Sequence, residues 1–396
     1  MKVLLVNDYA TPIGGAELST LELRDALRAR GHDARVFASS ARPCAGPSFA
    51  DYECLGTTSR WRTALQTVNP SAFITLRRVL ADFRPDVIHV RMFLTQLSPL
   101  ILPLLSRTPS LYHVVWYRPI CPSGLKMLPD GTACHSRPGA VCYREKCLPL
   151  RDWVPLMLQM KLWRRWRSVF NLIVTDSEAV RCRLLAEGIA PVELVWHGVP
   201  VQPPRPALSF PPLVTFVGRL VREKGVDVLL QAFARAVENV PDARLRLIGD
   251  GPERDRLRNL ITALGLVSAV TLQGRLSRAD AERLCASAWV QAVPSRWPEP
   301  FGRVAIEAMM RGTAVVASNC GGLAEIIEDG HMGFLVPPGD VPALAQGLTR
   351  LLGDRDRAER MGRAGRQVAL HRFSEETLVN RVMGLYQRIC QQGASA

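Results

Sequence analysis

The sequence predicts an α/β protein with two parallel-sheet domains. Three observations predict it. Short apolar strands alternate with amphipathic helices along 396 residues, the strands are almost continuously apolar, and a proline-rich stretch interrupts the alternation near residue 203. Alternation of this kind is typical of parallel sheets that are covered by helices on both faces. A break too rich in proline for a helix or a central strand marks a linker between two such sheets.

The first domain is predicted from the strands that precede this break. A Gly14-Gly15 turn follows the first strand and leads into a helix over Leu18–Ala29. The strands are predicted at Val3–Val6, Ala34–Ala38, Val87–Val90, Leu111–Val115, Leu172–Thr175 and Val192–Val195. A cleft between two such domains is a common place for ligands.

The second domain repeats the pattern after the linker. Its strands are predicted at Leu213–Val217, Leu245–Ile248, Val270–Gln273, Trp289–Val293 and Ala314–Ser318. A final helix is predicted from Phe373 to Gln391, with Ser374 as its N-cap and an acidic first turn.

Composition excludes several classes of protein. With 47% hydrophobic and 22% charged residues the chain can build real cores, which excludes disorder. The net charge of +14 comes from 50 basic residues, of which only five are lysines. Most of the excess lies before residue 206, which indicates a basic surface suited to an acidic or phosphorylated partner.

Targeting and membrane signals point to a cytoplasmic protein. The chain opens with MKVLLVN, which reads as a strand and lacks the pattern of a signal peptide. No apolar run reaches the roughly 18 residues of a membrane span, and the nearest candidate, 92–105, contains two prolines. Ten cysteines in such a compartment favour thiols or a metal site over a disulfide framework.

Glycine turns are the first candidates for ligand binding. Their sequences argue against NAD binding, which is a common use of this architecture. The turns read TPIGGAEL and FVGRLVREKG, so neither contains G-x-G-x-x-G or a P-loop. Gly14, Gly15 and Gly218 could still present backbone N–H groups to a phosphate.

The C-terminal half carries the most specific motifs. It reads FVGRLVREKG at 216–225, LIGDGPERDRL at 247–257 and EPFGRVAIEAMMRG at 299–312, followed by PPGD at 337–340. With these motifs in this order the chain resembles retaining glycosyltransferases of the GT-B fold, which has two Rossmann-like domains, in group 1 (family 4). The resemblance covers nearly the whole chain.

This resemblance implies a domain organisation. Residues 1–203 form an acceptor-binding domain with a cysteine-bearing loop at 119–150, and residues 204–372 form a donor-binding domain. Residues 373–396 form a helix that crosses back to the first domain. The acceptor site, with His113 and Gly14-Gly15, would then be completed when a hinge closes over the donor.

The resemblance also implies donor-site roles. Arg219 and Lys224 match the diphosphate clamp, where cations act on the charge that develops as the sugar–phosphate bond breaks. Pro300, Phe301 and Gly302 open a helix whose N–H groups can face phosphate or sugar hydroxyls. Arg275 and Leu276 fall where the family binds the nucleobase through its backbone.

The two glutamates of the E-x7-E signature are assigned to the sugar and the ribose. Glu299 would accept hydrogen bonds from donor-sugar hydroxyls, and Glu307, expected two turns inside its helix, from the ribose hydroxyls. Gly321, Gly322 and Glu325 resemble a turn beside the donor. His113 matches the family histidine at the reacting centre, where it would hydrogen-bond the sugar.

No carboxylate nucleophile of the glycosidase type is identifiable. The family mechanism is same-face attack, in which the protein contributes positioning and electrostatics. No cofactor is required for this chemistry. The donor is expected to be a UDP- or GDP-sugar, and the acceptor the hydroxyl of a glycan, a lipid-linked molecule or a small molecule. Nucleic acid is not an expected partner.

Metal chemistry has two candidate segments. Asp354-Arg355-Asp356 has the letters of a D-x-D clamp, but its polar setting favours solvated surface. Cys121, Cys134, Cys142 and Cys147 could hold a structural zinc, with His135 nearby. Their gaps of 12, 7 and 4 residues equally allow a disulfide or plain thiols.

Residues 153–170 read as a basic amphipathic helix with three tryptophans. That composition suits either an interfacial segment, and so peripheral attachment at the inner face of a membrane with a lipid-linked acceptor, or a core helix with a basic outer face.

We predict a hexosyltransferase, metal-independent and retaining, that acts in cell-envelope polysaccharide or glycoconjugate synthesis. Two alternatives remain open: a nucleotide-sugar epimerase or dehydrogenase, and a non-enzymatic polyanion-binding protein.

Overall fold

The chain divides into two compact units in the computed structural model, which describes residues 1–12, 14–43 and 46–394. The first unit comprises Met1–His197 together with Glu375–Ala396, and the second comprises Gly198–Ser374. Each unit is a parallel sheet with helices around it, so the predicted fold class is confirmed.

The first unit contains seven strands. They are β1 Lys2–Val6, β2 Asp33–Ser39, β3 Tyr52–Cys54, β4 Val87–Val90, β5 Ser110–Val114, β6 Leu172–Thr175 and β7 Val192–Leu194. Its helices are α1 Gly15–Ala29, α2 Arg62–Thr67, α3 Pro70–Phe83, α4 Val141–Arg144, α5 Leu150–Trp166 and α6 Glu178–Ala186. The strand order is β3-β2-β1-β4-β5-β6-β7, with every neighbour parallel.

The second unit repeats this plan with six strands, again all parallel. They are β8 Leu213–Val217, β9 Arg244–Ile248, β10 Val270–Gly274, β11 Val290–Val293, β12 Ala314–Ser318 and β13 Gly333–Val336. Its helices are α7 Val226–Asn239, α8 Arg254–Ala263, α9 Arg278–Cys285, α10 Arg303–Arg311, α11 Leu323–Ile326, α12 Val341–Leu352 and α13 Arg355–Arg372. The strand order is β10-β9-β8-β11-β12-β13.

The last helix, α14 (Glu375–Ala394), belongs to the first unit. Its buried side chains Leu378, Val382 and Tyr386 share one hydrophobic core with residues of β1, β2 and α1. The apolar face of this helix therefore completes the first unit's core.

Strand order decides where loops from different strands meet. In each unit the order reverses beside the first strand, between β1 and β4 and between β8 and β11. Ligands of open α/β sheets bind outside the carboxyl ends of strands at such a reversal, because the loops there diverge to opposite faces. The fold thus points to the loops after β1, β4, β8 and β11.

Two shorter features complete the description. Asp354 caps α13, since its Oδ1 accepts a hydrogen bond from Arg357 N at 2.9 Å, which is a structural use of the D-x-D letters. No helix among the described residues is long and apolar enough to cross a membrane.

Candidate functional site

Lys224 and Glu299 meet at the strand-order reversal of the second unit. Lys224 ends a short 3-10 turn that follows β8, and Glu299 lies in the loop that follows β11. Because β8 and β11 are adjacent and parallel, their carboxyl ends bring the two loops together. The loops are joined directly, since Arg296 N donates to Glu223 O at 2.9 Å.

Glu299 is the acceptor for three side-chain donors. Lys224 Nζ lies 2.9 Å from Oε1 and 2.7 Å from Oε2. Ser295 Oγ and Trp297 Nε1 donate to Oε2 at 2.8 and 2.9 Å. Lys224 Nζ also lies 5.4 Å from the centre of the Trp297 ring, within range of a cation–π interaction. The carboxylate is therefore held in one orientation.

These donors decide the charge of Glu299. Burial alone would raise its pKa, but the charge of Lys224 and the hydrogen bonds from Lys224, Ser295 and Trp297 outweigh it and lower the pKa below the ordinary 4.5. Glu299 is thus an anion at neutral pH. Two of the three ammonium protons of Lys224 point at it, which leaves one donor for a further acceptor.

Two glycines allow the loops of this site to approach each other. Gly225 has φ +65°, and a Cβ there would lie 2.0 Å from Pro294 O. Gly321 has φ +55°, and its Cβ would lie 2.1 Å from Glu299 O. Only glycine fits either position, so the loops around Glu299 are in close backbone contact on two sides.

The other predicted donor-site residues of this half follow the carboxyl ends of β8 and β10. Gly218 follows β8 directly. The Arg219 side chain is 60% exposed, and its Nη2 lies 3.4 Å from Glu223 Oε1. Its guanidinium is therefore free to reorient toward an anion. Arg275 and Leu276 follow β10 directly, as predicted, and Arg275 is exposed.

Pro300, Phe301 and Gly302 lie immediately before α10, with Gly302 as its N-cap. The helix itself begins at Arg303, so the triplet precedes the helix and does not form its first turn. Phe301 is buried, and its ring packs edge-on against Phe373 with centroids 6.1 Å apart. The phenyl ring is therefore a packing group of the second unit.

Glu307 is the fifth residue of α10, so it lies little more than one turn inside the helix, not the predicted two. Its Oε1 accepts a hydrogen bond from Arg303 Nε at 2.8 Å, and its side chain is 22% exposed. Gly321 and Gly322 form the turn after β12, where Gly322 N donates to Glu299 O at 2.8 Å. Glu325 lies on α11.

His113 lies in the first unit and is fully buried. It is the fourth residue of β5, and its Nε2 is 2.7 Å from Asp176 Oδ1. Burial lowers the pKa of His113 despite the attraction of Asp176, so the ring is neutral at pH 7. The predicted contact with a donor sugar stays a prediction. In this structure the ring is covered by its neighbours.

A second histidine connects His113 to the last helix. The rings of His89 and His113 stack with centroids 5.4 Å apart, and His89 Nδ1 lies 2.7 Å from the Tyr386 hydroxyl. Burial lowers the pKa of His89 well below its usual range. Sequence reasoning found neither His89 nor Tyr386 nor Asp176. The available signal was that His89 and His113 occupy interior positions of two neighbouring apolar strands.

Gly14 and Gly15 lie at the start of α1, Gly14 as its N-cap. The helix follows β1 and therefore begins near the strand-order reversal of the first unit. The preceding residue, Ile13, lies outside the described residues.

The four cysteines of the 119–150 loop are free thiols. Burial raises the pKa of Cys142 and brings that of Cys147 to about 11, and the other thiols act in the same direction. Among the described residues, no three or more His, Cys, Asp or Glu side chains form a group that could hold a metal ion. The structure thus joins none of the four in a disulfide, and the zinc set stays a prediction.

This arrangement has the architecture of a GT-B glycosyltransferase, and solved structures agree. Sucrose-phosphate synthase from Thermosynechococcus elongatus superposes with a TM-score of 0.76 at 24% identity and covers 100% of both chains. Anabaena HepE in complex with UDP-glucose superposes with a TM-score of 0.69 at 22% identity, also over 100% of both chains. At these identities the likeness establishes the fold alone.

The family follows from the sequence. The family model for glycosyl transferases group 1 matches residues 205–368, and that for glycosyltransferase family 4 matches residues 13–203. The chain is 30% identical to alpha-maltose-1-phosphate synthase of Mycobacterium tuberculosis over 275 residues, 61% of this chain and 71% of that protein. The chain belongs to the group 1, family 4 glycosyltransferases.

Two further relatives show how the similarity is distributed. Phosphatidyl-myo-inositol mannosyltransferase of Mycobacterium leprae is 28% identical over 100% of this chain and 98% of its own length. An exopolysaccharide phosphotransferase of Streptomyces coelicolor is 46% identical over 137 residues, which is 34% of this chain and only 14% of that protein. Similarity to the latter is therefore confined to a segment.

Proposed function

We propose that this protein transfers a hexose from a nucleotide diphosphate sugar to a hydroxyl acceptor, with retention at the anomeric carbon, in glycoconjugate or cell-envelope polysaccharide synthesis. The observation that carries the proposal is the Lys224–Glu299 pair at the strand-order reversal of the second unit. A fixed carboxylate beside a cation offers acceptors for sugar hydroxyls and a donor for a diphosphate.

The donor is assigned to the second unit. Lys224 would use its remaining N–H for a phosphate oxygen while it holds Glu299, and Arg219 would turn toward the diphosphate from its exposed position. Glu299 would accept from sugar hydroxyls, and Glu307 from ribose hydroxyls in place of Arg303. HepE, whose structure holds UDP-glucose, supports a uridine nucleotide as the first donor to test.

The chemical step assigned here needs no protein nucleophile. The acceptor oxygen attacks the anomeric carbon from the face that the diphosphate leaves, and the acceptor proton passes to the departing phosphate oxygen. The protein supplies position and positive charge through Arg219 and Lys224. We assign the step no metal cofactor, and activity that persists after EDTA treatment and dialysis would support this assignment.

The decisive experiment pairs donor binding with product analysis. Thermal shifts with UDP, GDP, ADP and dTDP identify the nucleotide, because a ligand that binds the folded state stabilises it by mass action. Transfer to an acceptor panel, followed by NMR of the anomeric proton, then reads the stereochemistry. Stabilisation by one nucleotide with an axial product from an axial donor supports the proposal. An inverted product contradicts retention, and the absence of any nucleotide effect contradicts the function.

We also propose that α5 attaches the protein to an anionic membrane. Leu150, Val154 and Leu158 recur every four residues and are 54%, 55% and 47% exposed. Exposed basic residues of the same helix are Arg151, Lys161, Arg164 and Arg165. Apolar and basic exposure on one helix is the composition of an interfacial segment.

Two of the three tryptophans of this helix hydrogen-bond to the rest of the first unit. Trp163 is fully buried and donates to Pro119 O at 3.0 Å, and Trp153 donates to Gly139 O at 2.9 Å. They attach α5 to the protein, so the apolar contact with lipid is assigned to Val154 and Leu158. Flotation with anionic vesicles should fall for Val154→Ser/Leu158→Ser and stay unchanged for Arg77→Gln on α3. Equal flotation of all three proteins would contradict the assignment.

A further inference from the structure

Arg118 carries a buried positive charge that forms no ion pair with a carboxylate of the described residues. It lies four residues after the end of β5 and is 6% exposed. Nε and Nη2 donate to Leu94 O at 3.3 Å, and Nη2 donates to Gln66 Oε1 at 3.0 Å and to Gln159 Oε1 at 3.5 Å. All of these acceptors are neutral. Nη1 has no hydrogen bond within the described part of the chain.

The neutral acceptors are themselves fixed. Gln66 lies in α2, Gln159 in α5 and Leu94 in the loop after β4. Gln159 Nε2 donates to Leu94 O at 2.9 Å and also to Gln66 O. The guanidinium is thus held between two helices and a strand-end loop, and this geometry orients it before any ligand arrives.

Asp8 is the carboxylate that acts electrostatically on Arg118, but its oxygens are engaged in other hydrogen bonds. Asp8 follows β1, and its two oxygens accept from Thr95 N and Oγ1, Gln96 N and Leu97 N at 2.6–3.0 Å. It fixes the loop after β4 and forms no ion pair with Arg118. Burial of a guanidinium without an anion is unfavourable, and burial lowers the pKa of Arg118 to about 10.

Arg62 adds a second positive charge to that of Arg118. Arg62 is the first residue of α2, is exposed, and its guanidinium has no hydrogen bond or ion pair among the described residues. Its charge acts on Arg118 in the same direction as burial. Arg62 lies one helical turn before Gln66, the α2 residue that accepts a hydrogen bond from Arg118 at 3.0 Å. An anion bound between the two guanidinium groups would relieve the repulsion between these like charges.

We propose that Arg118 and Arg62 bind an oxyanion, a phosphate or a carboxylate, that the acceptor substrate carries. The inference rests on the proposed glycosyl transfer and names the class of acceptor for it. Guanidinium groups bind both oxyanions through paired N–H donors. The donor's own diphosphate is assigned to Arg219 and Lys224 of the second unit, so this is a separate anion.

The test measures binding of defined anions to the full-length protein by calorimetry. The probes are glucose 6-phosphate, glucuronate and geranyl phosphate, with glucose as the neutral control. The first two represent free sugar acids, and the third a lipid-linked phosphate. The variants are Arg118→Gln, Arg62→Gln, the exposed control Arg77→Gln, and Lys224→Gln at the donor site.

We expect at least one anion to bind more tightly than glucose. Arg118→Gln should weaken that binding by about tenfold or more and Arg62→Gln by several-fold, as for the loss of charge-assisted hydrogen bonds. Arg77→Gln should leave it unchanged. Lys224→Gln should reduce nucleotide binding and leave anion binding intact. Tightest binding of glucose 6-phosphate or glucuronate would indicate a free acceptor, and tightest binding of geranyl phosphate a lipid-linked one.

The proposal is overturned if Arg118→Gln leaves anion binding unchanged, or if no anion binds more tightly than glucose. Arg118 would then have a structural role only. If Arg118→Gln fails to fold, Arg62→Gln decides, because that side chain holds nothing else in place. The two proposals fail separately: loss of the anion site leaves the nucleotide-dependent thermal shift intact, whereas failure of the glycosyltransferase proposal removes that shift from the wild-type protein.

Discussion

Lys224 and Glu299 are 75 positions apart in the chain, yet the lysine Nζ lies 2.7 Å from one carboxylate oxygen and 2.9 Å from the other. The two side chains are 19% and 12% exposed. Lys224, which the sequence assigns to a diphosphate clamp, is therefore paired with a carboxylate in this structure. A diphosphate bound as proposed would share the lysine with Glu299.

Removing one partner of this pair should destabilise the second unit more than removing both. Lys224→Met leaves a buried carboxylate without its cation, and we expect a loss of about 1–3 kcal/mol in the free energy of unfolding. The double variant Lys224→Met/Glu299→Gln should recover part of that loss. Urea unfolding of wild type, Lys224→Met, Glu299→Gln and the double variant measures the coupling energy between the two side chains. A coupling energy of zero would show that the pair is not a stabilising contact.

Acid should weaken the same pair. Because the folded-state pKa of Glu299 lies below its ordinary 4.5, the ionised pair contributes stability above about pH 4.5 and loses it as pH falls toward the folded value. The melting temperature of wild type should exceed that of Glu299→Gln at pH 7, and the difference should shrink below pH 4.5. A difference that is constant with pH would contradict an ionised Glu299.

The two glutamates of the signature should differ kinetically. Glu307→Ala removes the assigned ribose acceptor, which acts equally in the ground and transition states, so donor binding should weaken about tenfold with little change in kcat. Glu299→Ala removes contacts that tighten as charge develops and should mainly lower kcat. Calorimetry with the nucleotide and steady-state rates separate the two effects. Equal losses of binding alone in both variants would refute the roles.

The Tyr386 hydroxyl should stabilise the first unit through His89. Tyr386→Phe leaves the buried His89 Nδ1 without its 2.7 Å partner, and we expect a loss of about 1–3 kcal/mol in unfolding free energy. Tyr143→Phe is the matched control, because Tyr143 is 47% exposed. Nucleotide binding by the second unit should stay unchanged in both. Equal stability of the two variants would show that the hydroxyl contact has no energetic weight.

Mild acid should unfold the first unit because of its buried histidines. Burial lowers the folded-state pKa of His89 and His113 below 6.5, so the unfolded chain binds their protons first. Stability is then complete above about pH 6.5 and declines below it. His89→Gln should flatten this decline between pH 6.5 and 5, as followed by thermal melts. An unchanged slope would mean that His89 does not titrate on unfolding.

The fold was predictable because its signal is local. Apolar strands such as Leu213–Val217 and Ala314–Ser318 have the predicted bounds, since proline, glycine or polar residues flank them. The strands β3 (Tyr52–Cys54) and β13 (Gly333–Val336) were not predicted. They have three and four residues and lie at sheet edges, where a neighbour on one side only leaves a short, weakly apolar pattern.

The candidate site was predictable only where a motif carried it. The E-x7-E segment and the lysine after β8 identify Glu299 and Lys224, but no local pattern indicates that each is the other's partner. The contact between His89 and Tyr386 joins positions 297 apart, and the neutral partners of Arg118 come from three separate elements. Such contacts are set by packing of distant segments, which leaves no periodicity in the sequence.

The position of α14 has a consequence for the order in which the protein can be made. Leu378, Val382 and Ile389 complete a core whose members outside α14 all lie before residue 196. During synthesis from the N-terminus, all of Gly198–Ser374 leaves the ribosome before these side chains do. The second unit can therefore complete its core while the nascent first unit still exposes the apolar groove that α14 later covers. During that interval a chaperone that binds apolar surface could bind the part of the first unit that α14 later covers.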